Sequence, residues 1–182
     1  MEDIYGEEFV ILLQLENRLN NDYDYNVILS SYKFNENTLE KYFLKHIAVI
    51  LMYQNVSEKF LTKHKNIFTN NDWKTISKHI RLSEEFMIKF NNNLDFKHLI
   101  RYQTLSMKFI NRYIKKIKCY NYWNNLCEYQ NLTEEFIKAY LNNFSLSDIF
   151  TYQRHNLSQK FIQKYGGMKH ENYKFHKRNR SK

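Results

Sequence analysis

Leu82-Ser83-Glu84-Glu85-Phe86 and Leu132-Thr133-Glu134-Glu135-Phe136 are two copies of one pentad: an apolar residue, a hydroxyl residue, two mostly charged residues and a phenylalanine. Three looser copies are Val56-Ser57-Glu58-Lys59-Phe60, Leu105-Ser106-Met107-Lys108-Phe109 and Leu157-Ser158-Gln159-Lys160-Phe161. Successive hydroxyl residues lie 26, 23, 27 and 25 positions apart. Self-similarity at such a period marks a stack of small structural units rather than a globule built around one centre.

The unit from Leu82 to Leu105 shows how each copy folds. Ser83 has the chemistry of an N-cap, and Glu84 and Glu85 put negative charge at the positive end of the helix that follows. Leu82 and Met87 have the spacing of a hydrophobic staple, while Phe86 stands where a capping box would place Glu or Gln. Phe86 and Phe90 share a face, as do Phe109 and Tyr113, Phe136 and Tyr140, and Phe161 and Tyr165. Asn91-Asn92-Asn93 breaks the helix, and Asp95 can cap a second one bearing Phe96, Leu99 and Tyr102. The equivalent sets are Trp73, Ile76 and His79, then Trp123, Leu126 and Tyr129, then Leu146, Ile149 and Tyr152. Two helices of about eight or nine residues are each too short to be stable alone, so units must stack to bury their stripes.

Weaker copies precede these. Phe34-Asn35-Glu36 starts a unit 22 residues before Ser57, and Tyr5-Gly6-Glu7-Glu8-Phe9 starts a more divergent one. The second helix of that first unit is expected near Tyr23-Asp24-Tyr25 and to include Val27, Ile28 and Tyr32. Gly166-Gly167 reads as a helix stop, leaving the last unit half a repeat. The expected fold is an all-α solenoid of about six to seven helix-turn-helix repeats of 22–29 residues. It divides into a divergent N-terminal capping unit at 1–33, the repeat array at 34–168 and a basic tail at 169–182.

Composition agrees with helices. The chain of 182 residues has no proline and three glycines, too few for a turn-rich β fold or flexible linkers. Cys119 and Cys127 are the only cysteines, far from a disulfide framework or zinc signature, so a reducing, intracellular location is expected. The opening Met1-Glu2-Asp3 is unlike a secretory leader, and the apolar runs near Phe9 to Leu13 and Ile47 to Met52 are too short to span a bilayer. Charge is asymmetric: residues 1–50 hold 4 Lys/Arg against 9 Asp/Glu, 51–168 hold 18 against 9, and 169–182 hold 6 against 1. The basic part invites an anionic partner.

The unit resembles a degenerate helical-pair repeat of large DNA viruses of amoebae and some phages, with units of the form Leu-Ser-Glu-Glu-Phe-Ile, then an aromatic, then Ile-Ser-x-Tyr-Gln. The matching stretches are Leu132 to Ile137, Asp72-Trp73 with Ile76-Ser77, and the pairs Tyr53-Gln54, Tyr102-Gln103, Tyr129-Gln130 and Tyr152-Gln153. The likeness covers roughly residues 30–165 and departs at His79-Ile80, where Tyr-Gln is expected, and at Arg154-His155, which look inserted. It implies an α-solenoid of viral type, placed in host cytoplasm or virion, and brings no catalytic residues with it.

Several features are candidates for function. The Tyr-Gln pairs either present a row of side chains to a ligand or hold the connections between units; the second reading is preferred, because a residue demanded by every unit belongs to the stacking interface. Lys63, Lys89, Arg112 and Lys164 lie six positions after their caps, interrupted by Ala139, and form either a basic ladder for phosphates or an acidic partner, or ordinary cations at helix C-termini. Arg112, Lys115, Lys116 and Lys118, with Tyr113, Tyr120, Tyr122 and Trp123, make the densest basic and aromatic stretch, in which only Tyr120 and Tyr122 lack a core assignment and are free to stack on bases. Lys174, Lys177, Arg178 and Arg180 in the tail suit a nucleic-acid arm, a nuclear address or a solvated end.

Enzymatic chemistry finds no support in the pattern. Ser57, Ser83, Ser106, Thr133 and Ser158 recur as caps do, whereas a nucleophile is singular and paired with a base. The seven histidines show no paired metal-ligand spacing and there is no Gly-rich phosphate loop, so no cofactor or metal is expected. Cys127 follows the core residue Leu126 and is expected to be packed. The leading expectation is a non-enzymatic scaffold or adaptor, monomeric in its repeat core or part of a larger assembly, that binds another protein. The alternative is a nucleic-acid-binding solenoid using the basic row and tail.

Overall fold

The computed structural model describes residues 22–166, and within them the chain is all-helical with no strand. Twelve α-helices follow one another: α1 (Asp22–Ser31), α2 (Glu36–Tyr53), α3 (Glu58–His64), α4 (Asn70–His79), α5 (Glu84–Lys89), α6 (Phe96–Tyr102), α7 (Met107–Arg112), α8 (Ile114–Tyr120), α9 (Trp123–Tyr129), α10 (Glu134–Ala139), α11 (Leu146–Tyr152) and α12 (Gln159–Tyr165). Short 3-10 turns occupy Leu141–Asn143 and Arg154–Asn156. The helices pack in sequence order as a helical-repeat fold, and the chain divides into two compact units, Met1–Asp95 and Phe96–Lys182. Most of the expected capping unit at 1–33 and all of the expected tail at 169–182 lie outside the described residues.

Each pentad starts a helix as its chemistry requires. Ser57, Ser83, Ser106, Thr133 and Ser158 are N-caps whose side chains accept from the backbone N–H of the phenylalanine three residues on. Asn35 does the same for Thr38. The first helices span six or seven residues, shorter than expected. The aromatic pair four residues apart closes at 4.6 to 4.8 Å in Phe86–Phe90, Phe109–Tyr113, Phe136–Tyr140 and Phe161–Tyr165.

Three of those pairs dock on the aromatic ring that opens the preceding second helix. Trp73 lies 5.4 Å from Phe90 in the first unit, and in the second unit Phe96 lies 5.6 Å from Tyr113 and Trp123 5.3 Å from Tyr140. Leu61, Ile76, Met87, Leu99, Ile110, Leu126, Ile137 and Ile149 fill the interior around them. Burial of these side chains is what makes such short helices stable at all.

The unequal periods are explained by what lies between the two helices. In the 22-residue repeat the connection has shrunk to a kink at His46 (φ −126°, ψ 31°), so both helices merge into the 18-residue α2. In the 27-residue repeat the basic and aromatic stretch that follows Tyr113 forms an extra helix, α8. The Arg154-His155 insertion is the second 3-10 turn. At the far end Gly166 follows α12; a Cβ there would sit 2.6 Å from the Ile162 carbonyl oxygen, so glycine is required by close approach.

Two expectations about the core are corrected. Tyr102 and Tyr152 are 42% exposed rather than core, because the next residue, a glutamine in each case, takes the inward position and leaves the tyrosine outside. Val27 and Tyr32 are likewise exposed, whereas Leu29 of α1 is buried. Tyr5 to Phe9 falls outside the described residues.

The glutamines hold the repeats together. Gln54 accepts from the Phe34 N–H (2.9 Å) and donates to the Leu29 and Tyr32 carbonyls (2.5 and 2.6 Å). Gln130 accepts from Leu105 (3.0 Å) and donates to Ile100 and Gln103 (2.5 and 2.8 Å). Gln153 accepts from Leu132 (3.0 Å) and donates to Cys127 and Gln130 (2.5 and 2.7 Å). Each amide thus closes the helix exit of the preceding repeat, which bears out the stacking reading of the pairs. Truncating Gln130 to Leu strands one buried N–H and two buried carbonyls, each worth about 1–3 kcal/mol less whatever strain relief the loop finds. Urea denaturation is expected to report a loss of roughly 2–5 kcal/mol for Gln130→Leu; a loss below about 1 kcal/mol would contradict the clamp.

Candidate functional site

A carboxylate at the first helical position performs a second structural task. Phe86, Phe60 and Phe161 belong to the core, so the position that completes a capping box carries no acceptor for the N-cap backbone N–H. The preceding repeat supplies it. Glu58 accepts from the Ser83 N–H (2.5 Å) and hydroxyl (2.9 Å). Glu36 accepts from the Ser57 N–H and, at 3.2 Å, from its hydroxyl. Glu134 accepts from the Ser158 N–H and, at 3.0 Å, from its hydroxyl. Met107 stands at the equivalent place before Thr133 and cannot do this.

Glu134 also bonds Lys138, one turn on. Lys138, then the Ser158 N–H, hold its carboxyl at about 2, below the usual 4.5, and Lys138 is raised in return. A carboxyl lowered in the folded state stabilises the fold above about pH 4.5, and that contribution fades as pH falls toward 2. Thermal unfolding of the Glu134→Gln variant is expected to depend less steeply on pH between about 5 and 2 than that of the parent; an identical acid limb would remove Glu134 from the account.

The cations of the basic row sit in the last turn of their helices, where the dipole favours them: Lys63 in α3, Lys89 in α5, Arg112 in α7 and Lys164 in α12. They are not a bare ladder. Lys63 donates to Glu40 at 2.7 Å, which lowers the Glu40 carboxyl, while Lys89 lies 5.2 Å over Phe90 and Lys164 5.0 Å over Tyr165. Lys63 and Lys89 do line one open groove of about 510 Å³ between α3 and α5, with Glu58, Lys59, Thr62, Glu85 and Phe86.

The basic and aromatic cluster is split by α8. Lys116 lies 5.6 Å over Phe96 and 5.8 Å over Tyr113, and Lys118 lies 5.1 Å over Tyr140. Lys115 and Arg112 are exposed. Trp123 takes its core place and Tyr113 is half-buried against Phe109, whereas Tyr120 is 62% exposed and stacks on Tyr122 at 5.7 Å and 18°. Lys174, Lys177, Arg178 and Arg180 lie outside the described residues.

A feature that sequence reasoning missed is the outer face of the Tyr-Gln pairs. The Arg101 guanidinium lies between the Tyr102 and Tyr129 rings, 5.5 and 5.1 Å from their centres, and His98 stacks on Tyr102 at 5.9 Å. The signal was the same recurrence that pointed to the glutamines, read for one residue of the pair only.

Among the described residues no group of His, Cys, Asp and Glu is placed to hold a metal, and no helix is long and apolar enough to cross a membrane. The two thiols differ: Cys127 is buried, and loss of hydration pushes it up to about 12, while Cys119 is exposed at the end of α8. Iodoacetamide at pH 8 is therefore expected to modify Cys119 alone in the native protein and both thiols in denaturant; native labelling of Cys127 at a comparable rate would show that the α9 core opens. No protein-family model, curated protein or solved structure matches the chain.

Proposed function

We propose that the protein is a non-enzymatic binding scaffold whose partner is another protein, a repeat array of the kind that the resemblance to viral helical-pair repeats implies. The observation that supports this is the groove between α3 and α5. Its walls mix Lys59, Lys63 and Lys89 with Glu58 and Glu85 above the apolar edge of Phe86. Mixed charge over an apolar floor suits a polypeptide carrying both signs, while a polyanion would meet two carboxylates there. Extended surfaces between consecutive repeats are also where arrays of this kind ordinarily bind.

The recurring polar residues support the same reading. The hydroxyls cap helices, and Gln54, Gln130 and Gln153 clamp the connections. What varies between repeats is left to distinguish partners. In affinity purification from cells that express the protein, the parent and a Lys59→Glu/Lys89→Glu variant are compared, with cross-links mapped from Lys59 and Lys89. A partner that cross-links to these lysines and loses at least about tenfold in affinity with the variant is expected, since a like charge set against a partner costs a few kcal/mol. Equal retention by both baits would overturn the groove as the binding surface.

A further inference from the structure

The α8 insertion builds something that no other repeat has among the described residues. From Phe96 to Cys127 the chain holds seven cations (Lys97, Arg101, Lys108, Arg112, Lys115, Lys116 and Lys118) and no Asp or Glu. At the end of α8 Asn121 adopts a left-handed conformation (φ 54°), its N–H and that of Tyr122 returning to carbonyls of the last turn. This reversal sets Tyr120 and Tyr122 side by side although they are two apart in sequence. Tyr122 in turn lies 6.3 Å from Phe96 at 29°, so three nearly parallel rings run from a buried Phe96 outward to Tyr120.

We propose that Tyr120 is a stacking platform for a base of single-stranded nucleic acid, with Arg112, Lys115 and Lys118 receiving the adjoining phosphates. The inference goes beyond the protein-binding reading and uses a different surface, in the Phe96–Lys182 unit rather than the α3–α5 groove. Three physical features carry it. The stack is anchored at its inner end, so the outer ring is held in place before a base arrives and little rotamer entropy is lost on binding. Lys116, over Phe96 and Tyr113, fixes charge beside the stack rather than on a wandering side chain. The stretch adds seven cations and no carboxylate of its own, so the charge it contributes is wholly positive and draws phosphates toward the exposed ring. Duplex nucleic acid would offer no unpaired base to the ring.

The test measures fluorescence anisotropy of labelled 12-nucleotide oligo(U) and oligo(dT), and of a duplex of the same length, with the full chain at several salt concentrations. Both single strands are expected to bind more tightly than the duplex; preference for oligo(U) would identify RNA as the ligand, and equal binding a surface that accepts either strand. Tyr120→Ala is expected to weaken single-strand binding about five- to hundred-fold, the range for loss of one base–aromatic stack, while Tyr120→Phe retains it. Lys115→Gln with Lys118→Gln is expected to lower the slope of log affinity against log salt by about 1.4, close to 0.7 for each phosphate contact on a single strand. Protection of Cys119, next to Tyr120, from alkylation by bound oligonucleotide gives a readout independent of affinity. Undetectable binding at low salt, equal binding of duplex and single strand, or a Tyr120→Ala variant that binds as the parent does would each overturn the proposal. Loss of the protein partner in the Lys59→Glu/Lys89→Glu variant with oligonucleotide binding intact separates this site from the groove.

Discussion

Helices of six or seven residues have almost no interior. Four N–H groups at one end and four carbonyls at the other lack partners within any helix, and at this length those two sets meet in the middle. Every repeat must therefore find partners for most of its backbone outside its own helical ladder, and the architecture follows from where they are found. At the start of each first helix a hydroxyl, or in α2 the Asn35 amide oxygen, takes one N–H, and in three junctions the glutamate of the preceding repeat takes the N–H of the cap itself. At the end of the second helix a glutamine amide from the following repeat takes two carbonyls and one N–H. Aromatic burial supplies the driving force, and these polar clamps decide which register the repeats adopt.

The same constraint explains why the recurring residues are poor guides to function. A glutamate facing solvent beside a serine resembles a catalytic arrangement only until its partners are known; here Glu58 and Glu134 reach the next cap, and the serine already accepts from a backbone amide. Tolerance of change resides instead in the connections. The kink at His46, the extra helix α8 and the 3-10 turn at Arg154–Asn156 alter the path between helices without touching the clamps on either side. Surface chemistry particular to this chain is concentrated there and in the groove between α3 and α5.

Much of this could be read from residues alone. The hydroxyl caps, the phenylalanine stripe and the helical class follow from local rules, since an N-cap and an i, i+4 pair involve neighbours within one turn. Tyr102 and Tyr152 were misassigned for a definite reason: spacing of three along a helix predicts a shared face, but a helix only seven residues long ends before its last side chain is committed to that face. Lys63 and Lys89 were legible as a row, but the Glu40 carboxylate that occupies Lys63 comes from 23 residues away and leaves no local trace.

By itself the sequence determined the repeat, its caps, its aromatic interior and its all-helical class, because all of these rest on interactions within a turn or on a period that can be counted. Only the tertiary structure decided which groups close the helix ends, because those partners lie 20 to 30 residues apart and are chosen by how one repeat lies on the next. It alone also decided that Tyr122, which has no core assignment in the repeat pattern, packs between Phe96 and Tyr120. The left-handed turn at Asn121 and the ring of Phe96 place that side chain, and neither can be inferred from the spacing of the aromatics.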